Sequence, residues 1–295
     1  MNNRLNIKIG CHIGLKAPNY LVDSINEAIS YGANAMMIYT GPPQSSIRVN
    51  INKLKINEFK KILDENNWFL DDVIIHAPYI INLANNDIKK RKYAIDIITN
   101  EVKRTAAIGA KHLVIHPGNA VNCSSQEGIK NISECINEII DKTKDLEVII
   151  CLETMSGKGT EIGAKFEELA NIINLVINKN RIGICLDTCH INDSGYDLTN
   201  IDNLFKHFEQ SIPFSYLKVI HLNDSKNIKG SKKDRHENIG YGTIGFNNLL
   251  NFVYHPKLIN IVKILETPWY DNQPIYKQEI KMIKEKKWWD IISNL

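Results

Sequence analysis

The chain alternates short apolar segments with amphipathic segments along its whole length, and this alternation restricts its fold more than any other feature. Such alternation predicts parallel strands joined by crossover helices. Eight strands are expected, near residues 6–12, 35–39, 72–76, 111–116, 147–153, 181–187, 216–222 and 260–266. Eight units in roughly 250–300 residues predict an α/β fold closed as a (β/α)8 TIM barrel. The alternative is an open doubly wound sheet, but no glycine fingerprint follows the first strand.

The segments between the strands carry the period of an α-helix. Along residues 19–31 the apolar side chains recur on one helical face: Leu21, Val22, Ile25, Ala28 and Ile29. Gly32 follows as a helix stop, because glycine readily takes the left-handed conformation found there. Gly109 plays the same part after the helix predicted through residues 97–107.

Composition sets broad limits on the class of protein. The 295 residues are 43% hydrophobic and 23% charged, which excludes a disordered chain and can fill one large core. We see no linker and predict a single TIM-barrel domain over residues 1–295. A formal net charge of +3 is too close to balance to indicate nucleic acid or membrane by itself.

The cysteines and the N-terminal sequence indicate the cellular compartment of the protein. The six cysteines are scattered, and two lie inside apolar strand-like runs, which is typical of reduced thiols in a cytosolic protein. The start MNNRLNIKIG lacks the apolar core of a signal peptide. No apolar run reaches the ~18 residues of a membrane span. We therefore expect a cytoplasmic protein with no membrane partner, acting as a monomer.

Six consecutive predicted strands end in a side chain that can bind a metal: His76, His116, Glu153, Asp187, His221 and Glu266. A barrel brings all strand C-termini to one end, called the mouth below, where active sites lie in this architecture. One histidine at a strand end is usually a hydrogen-bonded structural residue, but six such residues in succession are hard to explain that way. Buried together without a cation they would be costly, so the pattern predicts divalent metals.

Three more candidates lie beyond the strand ends: His190, Asp234 and His236. Nine ligands are too many for one tetrahedral site and suit about three ions with one ligand shared. Imidazole and carboxylate ligands favour zinc, with manganese or iron as alternatives. Cys189 is a weaker candidate, because the other donors are all nitrogen or oxygen. His12 ends the first strand, with a structural role and a ligand-orienting role equally open.

Several motifs together resemble the endonuclease IV family of apurinic/apyrimidinic endonucleases. These are HAPYIINLA, HPG, LETM, LDTCHIND, HLNDSK, DRHENIGYGTIG and ILETP, in the family's order between residues 8 and 290. The resemblance implies a barrel with three zinc ions. The implied ligands divide into three groups: His76 and His116; Asp187, His221 and Glu266, with Glu153 bridging these two groups; and His190, Asp234 and His236.

The resemblance also implies an activity and a substrate. Family members bend duplex DNA at an abasic site, flip the sugar out and cut the phosphodiester on its 5′ side. The products are a 3′-hydroxyl and a 5′-deoxyribose phosphate. The bridging Glu153 is the expected catalytic residue, and three metals carry the hydrolysis. A third ion stabilises the leaving 3′ oxygen.

Five residues are expected to contact DNA: Tyr79, Ile80, Gln44, Lys233 and Arg235. Tyr79 and Ile80 follow His76 in the loop that fills the space of the flipped nucleotide in this family, a task suited to an apolar wedge. Lys233 and Arg235 lie in the lysine-rich loop after the seventh strand, where basic residues attract phosphate. Gln44 stands where many relatives carry arginine, with Arg48 four residues on.

Two other interpretations remain open from the sequence. Sugar isomerases and epimerases share the barrel and bind two metals through carboxylates. The group His190, Asp234 and His236 separates them, because it builds a third site that an isomerase does not need. A non-catalytic binder of DNA lesions is the second alternative, and the intact set of nine ligands argues against it.

Overall fold

The computed structural model describes residues 7–294 and places eight parallel strands in a closed barrel. The barrel strands are β1 Ile9–His12, β2 Ala35–Tyr39, β3 Val73–His76, β4 His112–Ile115, β5 Ile149–Glu153, β6 Ile182–Asp187, β7 Leu217–His221 and β10 Val262–Leu265. Two short strands, β8 Asp224–Ser225 and β9 His236–Glu237, lie outside the barrel. The predicted barrel and its strands are confirmed, with ends shifted by a few residues. Residue 6, where the first strand was expected to begin, lies outside the described residues.

The strands are hydrogen-bonded in the order β1-β10-β7-β6-β5-β4-β3-β2, so β1 closes the ring by pairing with both β2 and β10. The register brings polar strand ends to the same level. His76 at the end of β3 lies opposite Tyr39, and Asp187 at the end of β6 lies opposite His221. Closure of the ring therefore gathers the ends of non-adjacent strands around one axis.

Helices cover the outside of the barrel: α1 Leu21–Ser30, α2 Ile56–Glu65, α3 Ile88–Ile108, α4 Ser125–Lys142, α5 Phe166–Leu175, α7 Ile201–Ser211, α8 Phe246–Val253 and α9 Tyr276–Glu285. The short helix α6 Thr188–Ser194 instead begins at the mouth directly after β6, and most of its residues are buried. Gly109 ends α3 with φ 94°, as the sequence predicts. Gly32 follows α1 with φ 75°. No helix within the described range is long and apolar enough to cross a membrane.

The loop after β7 contains a feature that the sequence did not reveal. Two short antiparallel strands, β8 Asp224–Ser225 and β9 His236–Glu237, fold this loop back on itself. The turn between them carries Asp234. The pairing holds a long loop close to the mouth.

The core has two layers. The barrel interior is filled by small and medium apolar side chains: Ala35, Met37, Ile74, Val114, Cys151, Cys185, Val219, Val262 and Ile264. A larger apolar layer lies between the strands and the surrounding helices. All six cysteines are free, and five of them are buried. Polar side chains at the mouth thus rest on a packed apolar floor.

Candidate metal centre

The six strand-end residues lie together at the mouth. His76, Glu153, Asp187 and His221 are the last residues of their strands. His116 and Glu266 follow the ends of β4 and β10 by one residue. The barrel topology therefore gives these side chains a common location although they are far apart in the chain.

Glu153 occupies the centre of the group, and its two oxygens face different partners. Oε2 lies 3.1 Å from Nε2 of His76 and 3.2 Å from Nε2 of His116. Oε1 lies 2.9 Å from Nδ1 of His221. This division of the two oxygens is what a carboxylate shared between two ions requires.

A second set of donors surrounds His221. Its Nδ1 lies 3.0 Å from Oε2 of Glu266 and 3.9 Å from Oδ2 of Asp187. Potential ligand atoms of Glu153, Asp187, His221 and Glu266 all lie within 4.8 Å of one another. His221 and Asp187 are fully buried, so their charges interact strongly.

The third set joins a helix to the loop after β7. His190 lies in α6, which begins directly after β6 because the Asp187 side chain accepts the His190 backbone N–H at 2.8 Å. Nε2 of His190 lies 3.1 Å from Oδ1 of Asp234, and Nε2 of His236 lies 3.6 Å from the same oxygen. Asp187 thus serves two sets with different oxygens: Oδ2 lies near His221, and Oδ1 caps the helix that carries His190.

Residues behind the donors fix their orientation. His190 Nδ1 donates to the Thr154 carbonyl at 2.8 Å, which turns Nε2 toward Asp234. Asn223 donates through Nδ2 to Asp187 at 2.7 Å, and its Oδ1 accepts the Glu266 backbone N–H at 2.8 Å. Such hydrogen bonds hold metal ligands in place. Neither Thr154 nor Asn223 is marked by a sequence pattern, although each lies within two residues of a predicted ligand.

The donor sets fit divalent metal ions. Ligands about 2.0–2.2 Å from a tetrahedral ion lie roughly 3.3–3.6 Å apart. The donor separations above run from 2.9 to 3.9 Å on either side of this range, so small side-chain shifts would admit an ion. Nε2 of His236 is buried without a hydrogen-bond partner, although it lies 3.7 Å from Oδ2 of Asp187. A bound ion would satisfy this nitrogen, because a buried polar atom left unpaired is costly.

The charges at the mouth are mutually dependent. Burial raises the pKa of Glu153, but His221 and His116 outweigh burial and hold that pKa well below its usual value. Burial lowers the pKa of His190, whereas Asp187 and Asp234 raise it well above normal. Burial also raises the pKa of Asp234, and His190 lowers it to about 2. The carboxylates thus favour positive charge beside them, which a divalent cation supplies.

Comparisons with known proteins identify relatives of this chain. Residues 25–286 match a family model described as a xylose isomerase-like TIM barrel. A "Probable endonuclease 4" of Aster yellows witches'-broom phytoplasma is 49% identical, covering 97% of this chain and 99% of the relative. A "Probable endonuclease 4" of Ureaplasma parvum is 46% identical, covering 99% and 98% of the two chains.

The chain belongs to the endonuclease IV family. It is therefore a hydrolase of the endonuclease class. The crystal structure of endonuclease IV from Thermus thermophilus shares the fold, with a TM-score of 0.82 and 22% identity over 94% of this chain and 98% of that one.

In this endonuclease IV family member, Cys189 lies closer to the candidate metal centre than the sequence indicated. Its sulfur lies within 4.8 Å of donor atoms of Asp187 and His236. Burial and the Asp187 charge raise the pKa of the thiol far above its usual value. The nitrogen and oxygen donors form three sets without it, and burial favours the neutral thiol over the thiolate that binds metals, so Cys189 stays outside the predicted ligands.

The residues expected to contact DNA are exposed to solvent. Tyr79 and Ile80 follow β3, and each is 45% exposed although both are apolar. Lys233 and Arg235 flank Asp234 and are exposed, as is Gln44 in the loop after β2. Exposure at these positions is compatible with DNA contact and leaves the side chains free to reach a ligand.

Arg48 is not available to replace the charge absent at Gln44. Its Nε lies 2.5 Å from Oε1 of Glu101, and its side chain is only 4% exposed. Its Nη1 donates to the carbonyls of Ser45 and Ile47 at 2.8 and 2.9 Å. The buried guanidinium therefore stabilises the loop that carries Gln44 by hydrogen bonds to its backbone.

Proposed function

We propose that this protein hydrolyses the phosphodiester 5′ to abasic sites in duplex DNA, leaving a 3′-hydroxyl and a 5′-deoxyribose phosphate. One observation carries the proposal: three donor sets meet at the mouth, and Glu153 faces two of them with different oxygens. Membership of the endonuclease IV family supports DNA repair as the setting of the activity.

The donor sets would hold three zinc ions. His76 and His116 serve the first ion. Asp187, His221 and Glu266 serve the second, and Glu153 joins the two. The third ion would be held by a separate set: His190, Asp234 and His236. When bound, closely spaced divalent metals activate water as a nucleophile and neutralise phosphate charge, including charge on the leaving oxygen.

The chain's own residues orient the site for an incoming phosphodiester. Buried Asp187 and Glu153 keep their positions through hydrogen bonds to His190 and His221, so the donor sets are held in place before DNA arrives. Such preorganisation lowers the cost of stabilising charge that develops during the reaction. Glu153 is the proposed catalytic residue because it contacts donors of both paired sets.

Loops around the mouth would bind and distort the duplex. Tyr79 and Ile80 offer an exposed apolar wedge that replaces lost stacking where the abasic sugar leaves the helix. Lys233 and Arg235 add positive charge on either side of Asp234, a member of the third donor set. Sugar flipping is therefore part of the proposal.

An end-labelled duplex with one abasic site tests the proposed activity. We expect a single nick on the 5′ side, whose 3′ end a DNA polymerase extends without prior processing. Chelator should stop nicking, and added zinc should restore it. A nick on the 3′ side, or one that persists after complete metal removal, would contradict the proposal.

The third donor set also argues against an epimerase. The barrel of this chain matches a xylose isomerase-like model, so fold alone does not separate the two activities. Nε2 of His190 and Oδ1 of Asp234 lie 3.1 Å apart, on a helix and a loop outside the barrel strands. A two-metal sugar site has no use for this set, whereas phosphodiester hydrolysis gains a place to stabilise the leaving oxygen.

Tyr79→Ala is expected to weaken binding to abasic duplex by about 5- to 100-fold, the range of one lost stacking contact. Binding to intact duplex should change little, because only the abasic duplex has a gap to fill. Fluorescence anisotropy with matched duplexes measures both affinities. Phe69→Ala is the control, since Phe69 is 67% exposed but precedes β3 at the opposite end of the barrel. Equal weakening on both duplexes would assign Tyr79 to packing.

Gln44→Arg is expected to tighten DNA binding and to steepen its salt dependence by about one phosphate contact. The added charge lies on a loop that Arg48 already holds in place from the inside. Binding measured over a series of salt concentrations gives the slope. Gln210→Arg adds the same charge at an exposed position on α7, away from the mouth, and should leave the slope unchanged. An unchanged slope for Gln44→Arg would place the phosphate contact on a lysine instead.

A further inference from the structure

Asp193 is a fully buried carboxylate at the end of α6 that the proposed chemistry does not use. Its Oδ1 accepts hydrogen bonds from Ser225 Oγ at 2.7 Å and Asn192 Nδ2 at 3.1 Å. Its Oδ2 accepts from Asn227 Nδ2 and from the Asp234 backbone N–H, both at 3.0 Å. Three of these four donors belong to the loop after β7. A single side chain therefore holds both the start and the far end of that loop.

The loop after β7 contains two residues in an unfavourable backbone conformation. Lys232 and Asp234 have φ values of 56° and 58°, in the left-handed region that is uncommon for non-glycine residues, lysine in particular. Both donate their backbone N–H to the same residue: Lys232 to the main-chain oxygen of Asp193 at 2.9 Å, and Asp234 to its side chain. Strained conformations persist only where surrounding contacts impose them. Asp193 supplies those contacts at both strained positions.

The same short helix carries a donor of the third set. His190 lies three residues before Asp193 in α6, so the two side chains have a fixed separation. Asn192 makes two more hydrogen bonds to the loop. Its backbone carbonyl accepts the Gly230 backbone N–H at 2.9 Å, and its Nδ2 donates to the Asn227 carbonyl at 3.1 Å. The position of Asp234 relative to His190 is thus set through α6 and not through the barrel strands.

We infer that Asp193 is a positioning residue that fixes Asp234 opposite His190 and so prepares the third metal site. The inference rests on the proposed third site, but the loop conformation that it explains does not require a metal. Without the Asp193 carboxylate, Ser225, Asn227 and Asp234 lose their acceptor, and the strained turn relaxes. Asp234 then leaves its place 3.1 Å from His190.

Metal titration of the full chain tests the inference. Asp193→Ala should lower the affinity for the third equivalent of zinc by roughly 10- to 100-fold, as expected on loss of a group that orients ligands. The first two equivalents should bind as in the wild type. Asp193→Asn keeps the shape of the side chain but replaces one acceptor oxygen with an NH2 group, which then faces the hydrogen-bond donors of the loop. It should lower the affinity for the third equivalent by a smaller factor. Asp197→Asn, an exposed carboxylate four residues on, is the control and should change nothing.

Trypsin digestion gives a second measurement that needs no metal. With chelator present, Asp193→Ala should be cut after the exposed Lys232 and Lys233 at least tenfold faster than the wild type and the Asp197→Asn control. Cutting at the wild-type rate, or an unchanged third equivalent in both Asp193 variants, would overturn the inference. If Asp193→Ala does not fold, the Asp193→Asn results decide by the same criteria. A wild type that binds only two ions would instead refute the proposed third site. The trypsin comparison would then still test whether Asp193 holds the loop after β7 in place.

Discussion

Glu153→Gln should reduce abasic-site cleavage by several orders of magnitude, more than any other single change at the mouth. The amide keeps the shape of the side chain but loses its charge, and its nitrogen cannot coordinate a metal. Glu153 faces His76 and His116 with one oxygen and His221 with the other. Loss of that shared contact should therefore release one or both of the paired metals.

Elemental analysis beside the nicking assay measures this result. The metal proposed for the set around His190 should stay, and the fold should persist because the packed apolar floor lies below Glu153. Glu134→Gln is a suitable control, since Glu134 is exposed on α4 and pairs with Lys130 on the same helix. A variant that keeps three metals and cuts at nearly the wild-type rate would refute the shared role of Glu153.

Asp234→Asn should lower cleavage by roughly 10²- to 10³-fold, the usual cost of removing one group that stabilises developing oxyanion charge. Asp234 is the carboxylate that His190 and His236 both face. Without its charge the third set is reduced to imidazoles and should lose its metal. The paired metals should remain, because Glu153 and Glu266 are untouched.

The contrast with Glu153→Gln makes the test specific. Asp234→Asn should retain two metals per chain and bind abasic duplex at close to wild-type affinity, with the defect in the rate of cutting under single turnover. Asp145→Asn, an exposed carboxylate before β5 at the opposite end of the barrel, serves as the control. Loss of all three metals from Asp234→Asn would mean that the sets do not form independent sites.

Much of the fold could be predicted from the sequence because buried parallel strands are apolar along their whole length. Runs such as residues 73–75 and 182–186 have almost no polar interruptions, so their strands and the following polar ends stand out. The convergence of His76 and Glu266 needed no knowledge of individual contacts, since a barrel places all strand ends at one mouth. The location of the candidate site therefore followed from topology.

The remaining features depend on side-chain pairs that are distant in the chain. Arg48 pairs with Glu101, 53 residues away, and no local pattern distinguishes this buried arginine from one that faces DNA. Asp193 meets its partners in the loop after β7 only because β6 and β7 are neighbours in the barrel. The short pair β8 and β9 has two residues in each strand, too few for a periodic signal. Local patterns reveal strands and helices, whereas such pairings appear only in three dimensions.

The order of the donors along the chain affects when the site can exist during synthesis. Glu266 follows β10, which pairs with both β7 and β1 and so closes the barrel. A growing chain that has not passed residue 266 lacks a donor of the second set and also lacks the strand that completes the ring. A chain or fragment that ends before β10 therefore lacks both the closing strand and Glu266, so we expect it neither to hold the full candidate metal centre nor to nick DNA.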